Sequence, residues 1–290
     1  MTIYKASDLL LNSDGSVFHL KLHPNQVAPN IILVGDPDRA EMVSSFFSSL
    51  DYRVQNREFV CHTGMYQTMP ISVISSGIGT DNIDIVLNEL DALVNIDLNS
   101  RTIKKDHTCL QIVRMGTSGS LQKNIPVDSI VLGKYGLGFD GLLHFYRAKD
   151  IMETEMEDAF VAHCQYPDER ARPYIVKNSD ELERKLISDE IFAGITATSG
   201  GFYGPQGRVL RLAVQDKEMN RKIESFRFNK LCITNLEMET SAIYGLSKLM
   251  GHKALSMNAI IANRSTLSFS KDPYAAVEKL IKYTLNKLSE

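Results

Sequence analysis

The chain has 290 residues, with 32 Lys+Arg against 35 Asp+Glu for a formal charge of −3, and it is 43% hydrophobic and 23% charged. That length suits one large α/β domain or two small ones, enough to bury roughly three quarters of the unfolded surface. The composition excludes disorder, and the near-neutral balance removes the electrostatic case for nonspecific nucleic-acid or membrane-surface binding, leaving small anions open as ligands.

The opening stretch MTIYKASDLLLNSDGS lacks the apolar core and cleavage site of a signal peptide. No apolar run approaches the ~20 residues that cross a bilayer, so a cytoplasmic protein is expected. Residues 31–35 (IILVG) read as a buried strand, followed by Asp36-Pro37-Asp38, either aspartate of which can cap a helix over 39–47. Residues 71–75 read as a second strand. Over 81–96, Ile83, Val86, Leu87, Leu90, Leu93 and Val94 repeat on one helical face. The polar stretch 95–107 reads as a surface insertion. Strands are predicted at 109–115, 129–133, 191–199 and 231–234, while 149–190 gives a mixed pattern. Helices at 239–250 and 275–288 enclose a buried strand at 254–262. Strands alternating with helices predict a sheet covered on both faces, and with no linker in the chain, residues 1–290 are expected to form a single domain. Cys61, Cys109, Cys164 and Cys232 are scattered, without zinc-type spacing, and are expected as free thiols.

Three predicted strands end in small or glycine-rich turns: GDPDR at 35–39, SSGIGTDN at 75–82 and RMGTSGS at 114–120. In open α/β sheets ligands bind beyond the carboxyl ends of strands, and glycine lets a backbone N–H approach an anion closely. Arg39 and Arg114 beside two of these turns, with the Thr117 hydroxyl, suit phosphate. No GxxxxGK[ST] loop, GxSxG elbow or HExxH helix is present, and Asn82 stands where GxGxxG needs its third glycine. Glu237-Met238-Glu239 leads from a strand into a helix. If the segment is still extended, both carboxylates point to one side and suit the vicinal hydroxyls of a ribose; as first-turn acids they would be solvated and favoured by the helix dipole. The loop Phe202-Tyr203-Gly204-Pro205-Gln206-Gly207-Arg208 carries aromatics that stack on flat rings, and an amide and a guanidinium that read polar ring edges. A surface loop with a structural Phe is the plainer alternative.

The combination VFHLKL (17–22), GDPDR, NREF (56–59), SSGIG, RMGTSGS, FYGPQGR, NLEMET and IIANRS runs in order through nearly the whole chain. It resembles the nucleoside phosphorylase family, most closely its uridine-cleaving branch. The resemblance implies an α/β single-domain sandwich with a mixed central sheet flanked by helices, assembled as a homo-oligomer, either a dimer or a hexamer built as a trimer of dimers. It implies a pentosyltransferase carrying out reversible phosphorolysis of uridine to uracil and ribose 1-phosphate in pyrimidine nucleoside salvage. Inorganic phosphate is the co-substrate, with no cofactor, metal, nucleic acid or membrane involved.

Residue by residue, Gly35, Arg39, Arg114 and Thr117 match the phosphate-holding positions, and Arg57 matches the one a neighbouring subunit supplies. His19 matches a histidine that reaches a neighbour's ribose 5′-hydroxyl. Met238 and Glu239 match the ribose contacts; Phe202, Gln206 and Arg208 match the uracil pocket. Arg208, Gln206 and Arg114 are the expected catalytic residues, acting by positioning and by stabilising charge as it develops. Glu58 matches a residue at an interfacial monovalent-cation site, but its partner position carries Asn82 in place of serine, so no metal is assigned. Thr80-Asp81 replaces a Gly-Pro pair; an acid there repels phosphate unless Asp81 caps the helix and points away. The 147–180 region matches poorly. The competing readings are a purine-directed phosphorylase or nucleosidase of the same fold, and a non-enzymatic nucleoside-binding protein. Purine enzymes of the family place an Asp at the end of the late strand, where this chain has Asn263-Arg264-Ser265.

Overall fold

The computed structural model describes residues 3–290. In chain order its strands and α-helices are β1 (Asn30–Val34), α1 (Pro37–Ser44), β2 (Ser49–Asn56), β3 (Phe59–Tyr66), β4 (Met69–Ser75), α2 (Thr80–Asn95), β5 (Ile96–Asp97), β6 (Thr102–Ile103), β7 (Gln111–Ser120), β8 (Ile130–Gly138), α3 (Thr154–Cys164), β9 (Tyr174–Lys177), α4 (Asp180–Leu186), β10 (Phe192–Thr198), α5 (Met219–Ser225), β11 (Arg227–Phe228), β12 (Leu231–Glu237), α6 (Thr240–Leu249), β13 (Lys253–Asn263), β14 (Ser268–Phe269) and α7 (Pro273–Ser289).

The alternation of side chains along β1 decides the layering. Ile31 and Leu33 join one core with Ile83, Val86, Leu87 and Leu90 of α2 and with Ile243 and Leu246 of α6. Ile32 and Val34 join the opposite core with Ala40 and Val43 of α1 and with Val277, Leu280 and Ile281 of α7. A third core beneath α3 and α5 gathers Phe160, Ile195, Ile223 and Ile233. The mixed sheet flanked by helices is the architecture expected. It runs β11-β12-β10-β8-β13-β7-β1-β4-β3-β2, with β9 on β8 and β14 on β13. The patterning gave no sign that the sheet also curls: β12 pairs antiparallel with β7 at Asn235↔Ser120 and Leu236↔Gly119, closing β7, β13, β8, β10 and β12 into a small barrel.

Several local expectations are corrected. RMGTSGS is not a turn: β7 continues through Ser120 because β13 offers partners as far as Asn263. Asp36, not Asp38, caps α1, accepting the Asp38 N–H at 3.0 Å. That helix stops at Ser44, where tight N–H bonds from Phe46 to Val43 and from Phe47 to Ser44 turn the chain. Asp81 is not the cap of α2; Gly79 is, at φ +95°, and Asp81 is exposed in the first turn, where the dipole favours it. The 95–107 insertion forms the β5–β6 hairpin, and Lys104 Nζ donates to the terminal α2 carbonyls of Leu93 and Val94 at 3.3 and 2.9 Å. All four cysteines are unpaired, and burial pushes the Cys61 and Cys164 thiols up to about 12. Among the described residues no helix is long and apolar enough to cross a membrane.

Gly136 on β8 seats the start of α6. A Cβ there would lie 2.8 Å from Ser241 Cα and 3.3 Å from the Thr240 carbonyl carbon, backbone that cannot step aside alone. Gly136→Ala should therefore cost about 1–3 kcal/mol through forced backbone shifts, read from urea unfolding. Parental stability would show that α6 does not rest on this glycine.

Candidate active site

β1 and β4 pair in parallel and end side by side. A Cβ on Gly35 would sit 3.4 Å from the Gly77 carbonyl oxygen, so the two turns meet. The capped α1 carries Arg39 in its first turn, beside Arg114 of β7. Arg39 is made less basic first by burial and then by the positive field of Arg114, with Asp36 and Glu239 offsetting part of this. Among the described residues its guanidinium makes no hydrogen bond or ion pair, and neither does the half-buried Thr117 hydroxyl. Two neighbouring guanidiniums, one without an acidic partner, have the chemistry that suits an anion.

Arg114 is buried. Burial alone would make it less basic, but Glu239 and then Glu237 outweigh it and the net effect is upward. Its Nη2 donates to Glu239 Oε2 in a short bond. Its Nη1 donates to Asn258 Oδ1 at 3.0 Å and lies 3.6 Å from Glu237 Oε2. β12 runs on to Glu237 instead of stopping at Thr234; the chain then bends through Met238 and Glu239, which at ψ −27° has left the extended region, yet both carboxylates turn towards Arg114. Neither is a solvated first-turn acid: both are buried. Glu237 accepts from the Thr198 hydroxyl at 2.7 Å and from the Glu239 and Thr240 N–H groups at 3.0 Å. The second oxygen of Glu239 accepts the Gly79 N–H at 2.7 Å, linking the ribose candidate to the SSGIG turn. Met238 lies half-buried between the two acids.

The base candidates form a second group. A single 3-10 turn, Gly204–Gln206, buries Gln206, and Gly207 leaves it at φ +70°, which favours glycine. Arg208 Nη1 donates to Gln206 Oε1 and to the Phe202 carbonyl, both at 2.6 Å, and its guanidinium stacks 3.7 Å from the Phe202 ring centroid. Arg264, beyond the end of β13, donates from Nη2 to the same Gln206 Oε1 at 3.0 Å and from Nη1 to the Gln206 carbonyl in a short bond. Burial, then the charge of Arg208, lowers Arg264 to about 10; burial also lowers Arg208. A cavity of about 940 Å³ opens beside this loop, lined by Phe139, Tyr203, Arg208, Leu210 and Val214 among others. Arg264 was missed as a site residue. The NRS stretch points first to the acid it lacks, while the signal available is a cation at a strand end, one residue past the last pairing of β13 with β7.

His19 and Arg57 stand apart. His19 Nδ1 meets Glu89 Oε1 at 2.6 Å, and Asn56 Nδ2 donates to the His19 carbonyl at 2.7 Å. Arg57, in the β2–β3 turn at φ +55°, lies over the Phe18 ring 5.9 Å from its centroid. Among the described residues neither bonds to Arg39, Arg114 or Glu239. Asn82 Nδ2 donates to Glu58 Oε1 at 3.3 Å. At the opposite ends of β7 and β13, Asp91, His107 and His252 bring metal-ligand atoms within 4.8 Å of one another. The Leu110 N–H donates to His252 Nδ1 at 3.2 Å, so the proton of the neutral ring sits on Nε2, which faces Asp91 Oδ1 at 3.3 Å. A ring nitrogen that carries a proton has no lone pair to offer a metal.

Residues 29–284 match the sequence model of the phosphorylase superfamily. The chain belongs to the phosphorylase superfamily. It is accordingly an enzyme of the pentosyltransferase class. A uridine phosphorylase of Thermococcus kodakarensis is 27% identical over 264 residues, covering 89% of this chain and 81% of that protein. A uridine phosphorylase of Escherichia coli is 27% identical over 261 residues, covering 87% and 88%. A DeoD-type purine nucleoside phosphorylase of Shewanella loihica is 26% identical over 238 residues, covering 82% of each. The solved structure of a Trypanosoma brucei nucleoside phosphorylase, reported to show uridine phosphorylase activity, matches with a TM-score of 0.87 at 29% identity over 97% of this chain and 99% of that one.

Gly116 tests whether the phosphorylase site needs Arg114 where it lies. A Cβ at Gly116 would intrude on the Arg114 guanidinium and lie 2.6 Å from Asn258 Oδ1. Gly116→Ala should lower nucleoside phosphorolysis on the order of 10²-fold in kcat/KM, as a small misplacement of a positioning group does, in a protein that still folds by circular dichroism. Parental kcat/KM in the folded variant would free Arg114 from that seat.

Proposed function

We propose that this phosphorylase cleaves uridine with phosphate to give uracil and ribose 1-phosphate, reversibly, as a single-domain subunit of a cytoplasmic homo-oligomer in pyrimidine nucleoside salvage. The observation that carries the substrate reading is the convergence of Arg208 and Arg264 on the Gln206 amide oxygen. Among the described residues neither guanidinium pairs with a carboxylate. The pocket is therefore rich in donors and free of a paired acid, which suits a base that departs with negative charge on its carbonyl oxygens. A purine leaving group calls for protonation at N7, and Arg264 occupies the neighbourhood where an acid would have to stand.

In this reading phosphate lies against Arg39, Arg114 and Thr117 with the Gly35 backbone, and attacks C1′ as the glycosidic bond loosens. Glu239 holds the ribose diol through charge-assisted hydrogen bonds, with Met238 against the sugar. Phe202 stacks on the ring while Gln206, Arg208 and Arg264 take up the charge of the leaving base. Proximity and preorganised electrostatics account for the rate without a covalent enzyme intermediate. Arg57 and His19, lying away from this group within one chain, support a site completed by a neighbouring subunit.

Base release from uridine should require phosphate, and inosine should be cleaved far more slowly. Arg208→Ala and Arg264→Ala should each lower uridine kcat about 10²–10³-fold while phosphate affinity holds. Release without phosphate, or a preference for inosine, would replace this reading with a hydrolytic or a purine-directed one.

Arg57→Ala and Arg114→Ala proteins should each be inactive alone and regain part of the activity when co-expressed as mixed oligomers, because some sites then hold both arginines. Verified mixed oligomers without activity would put Arg57 outside the neighbour's site.

A further inference from the structure

We propose that Asn258 is a positioning residue for phosphate capture: its neutral amide oxygen takes the Arg114 Nη1 hydrogen bond that would otherwise go to Glu237, so that the guanidinium remains available to an anion. The proposal rests on the reading of Arg114 as a phosphate ligand.

The strand register creates the contact. Arg114 and Gly116 lie two residues apart on β7 and share a face. In the parallel pairing of β7 with β13, Asn258 stands opposite Gly116. With no side chain at Gly116, the Arg114 guanidinium folds over it and meets the Asn258 amide across the strand. All three positions are needed: a longer residue at 116 blocks the path, and a shift of β13 by one residue turns position 258 to the other face.

The amide is held in one orientation. Asn258 Nδ2 donates to Ser256 Oγ at 3.2 Å, and Ser256 Oγ also accepts the Thr240 hydroxyl at 2.9 Å. Ser256 N–H in turn donates to the Tyr244 hydroxyl at 2.8 Å, which donates to the Gly133 carbonyl at 2.6 Å. Flipping the amide would set its NH₂ group against the Arg114 N–H donors and lose the acceptor Arg114 Nη1 uses. Oδ1 is thereby committed to Arg114. The same chain reaches Thr240, the first residue of α6, which follows Glu239 directly, so the seat of the phosphate cation and that of the ribose carboxylate share one support.

The charge balance explains why the acceptor is an amide. Arg114 already faces two buried carboxylates, Glu239 in direct contact and Glu237 at 3.6 Å, beyond hydrogen-bond distance. Without an acceptor at Asn258, the nearest oxygen for Nη1 is Glu237 Oε2. The guanidinium would then close on both carboxylates, and an incoming dianion would have to displace a charged partner in place of a neutral one. A carboxylate at position 258 would work against the anion in the same way.

The test measures KM for phosphate and for uridine, with kcat, on the parent and on Asn258→Leu, Asn258→Asp and Arg114→Ala. Asn258→Leu should raise the phosphate KM by about fivefold or more, as expected when a charged donor loses its acceptor, with the uridine KM moved less. A purely structural role predicts lower stability with a phosphate KM close to the parent's. If Asn258→Leu does not fold, the nearly isosteric Asn258→Asp is read by the same criterion. A phosphate KM changed by less than about fivefold in the folded variant, while Arg114→Ala raises it strongly, overturns the role of Asn258 and spares Arg114. A phosphate KM unmoved by Arg114→Ala removes the phosphate reading of Arg114, and the proposal with it.

Discussion

The buried meeting of Arg114 with Glu237 and Glu239 is the constraint on which the rest depends. Taking these charges out of water costs several kcal/mol per ion before pairing returns any of it. Their pairing is therefore poor evidence for stability and good evidence for a geometry that had to be specified. The fold meets the cost with fixed dipoles. Glu237 is saturated by a hydroxyl and two N–H groups at the start of α6, Glu239 takes the N–H of Gly79, and Arg114 has a neutral amide as well as its anions. Arg39 adds a second positive charge without an ion pair of its own, so two cations face two anions and the group is balanced in sum. What it offers an anion is therefore one guanidinium without a paired acid, not a positive excess, in a chain whose net charge is −3.

Strand pairing converts this chemistry into a place. β1, β4, β7 and β13 run parallel in sequence through the sheet, so the turns after β1 and β4 and the middle of β7 arrive at one edge of the small barrel. The extra β7–β12 pairing brings the end of β12, and with it the two acids, onto Arg114. Glycine is needed here where backbones or long side chains must come close: Gly136 admits the first turn of α6, and Gly116 admits a guanidinium. These are packing requirements, distinct from the turn conformations for which glycine-rich stretches are usually read.

Much of the fold was legible because its signals are local. The apolar face of α2 follows from its period and the buried strand β1 from its unbroken apolar run, and their residues lie in the cores on the two faces of the sheet. The continuation of β7 through RMGTSGS was not legible, because glycine and serine look like a turn until a partner strand is known. Closure of the barrel depends on pairings between residues more than 100 positions apart. Among the site residues, two carboxylates turned to one side was among the alternatives the 237–239 spacing offered, whereas the bend after β12 that achieves it and the burial against Arg114 were not legible. Arg264 lies within IIANRS and Asn258 outside any quoted motif, yet both acquire their place from residues in another strand or loop.

The two halves of the site solve opposite electrostatic problems with the same residue type. In the proposed reading, the guanidiniums around phosphate must bind an anion yet release it as an ester, and Arg114 is tempered by carboxylates on two sides. Around the base, Arg208 and Arg264 share one amide oxygen and repel each other, and Arg264 is pushed down to about 10. Two like charges held together in a partly desolvated pocket are stabilised by whatever negative charge appears between them. A neutral base supplies little of it, whereas a departing one supplies it as the glycosidic bond breaks. If the base leaves through this pocket as proposed, repulsion built into the resting pocket is relieved along the reaction coordinate, and the interaction is stronger in the transition state than in the ground state, the condition for binding energy to accelerate the step.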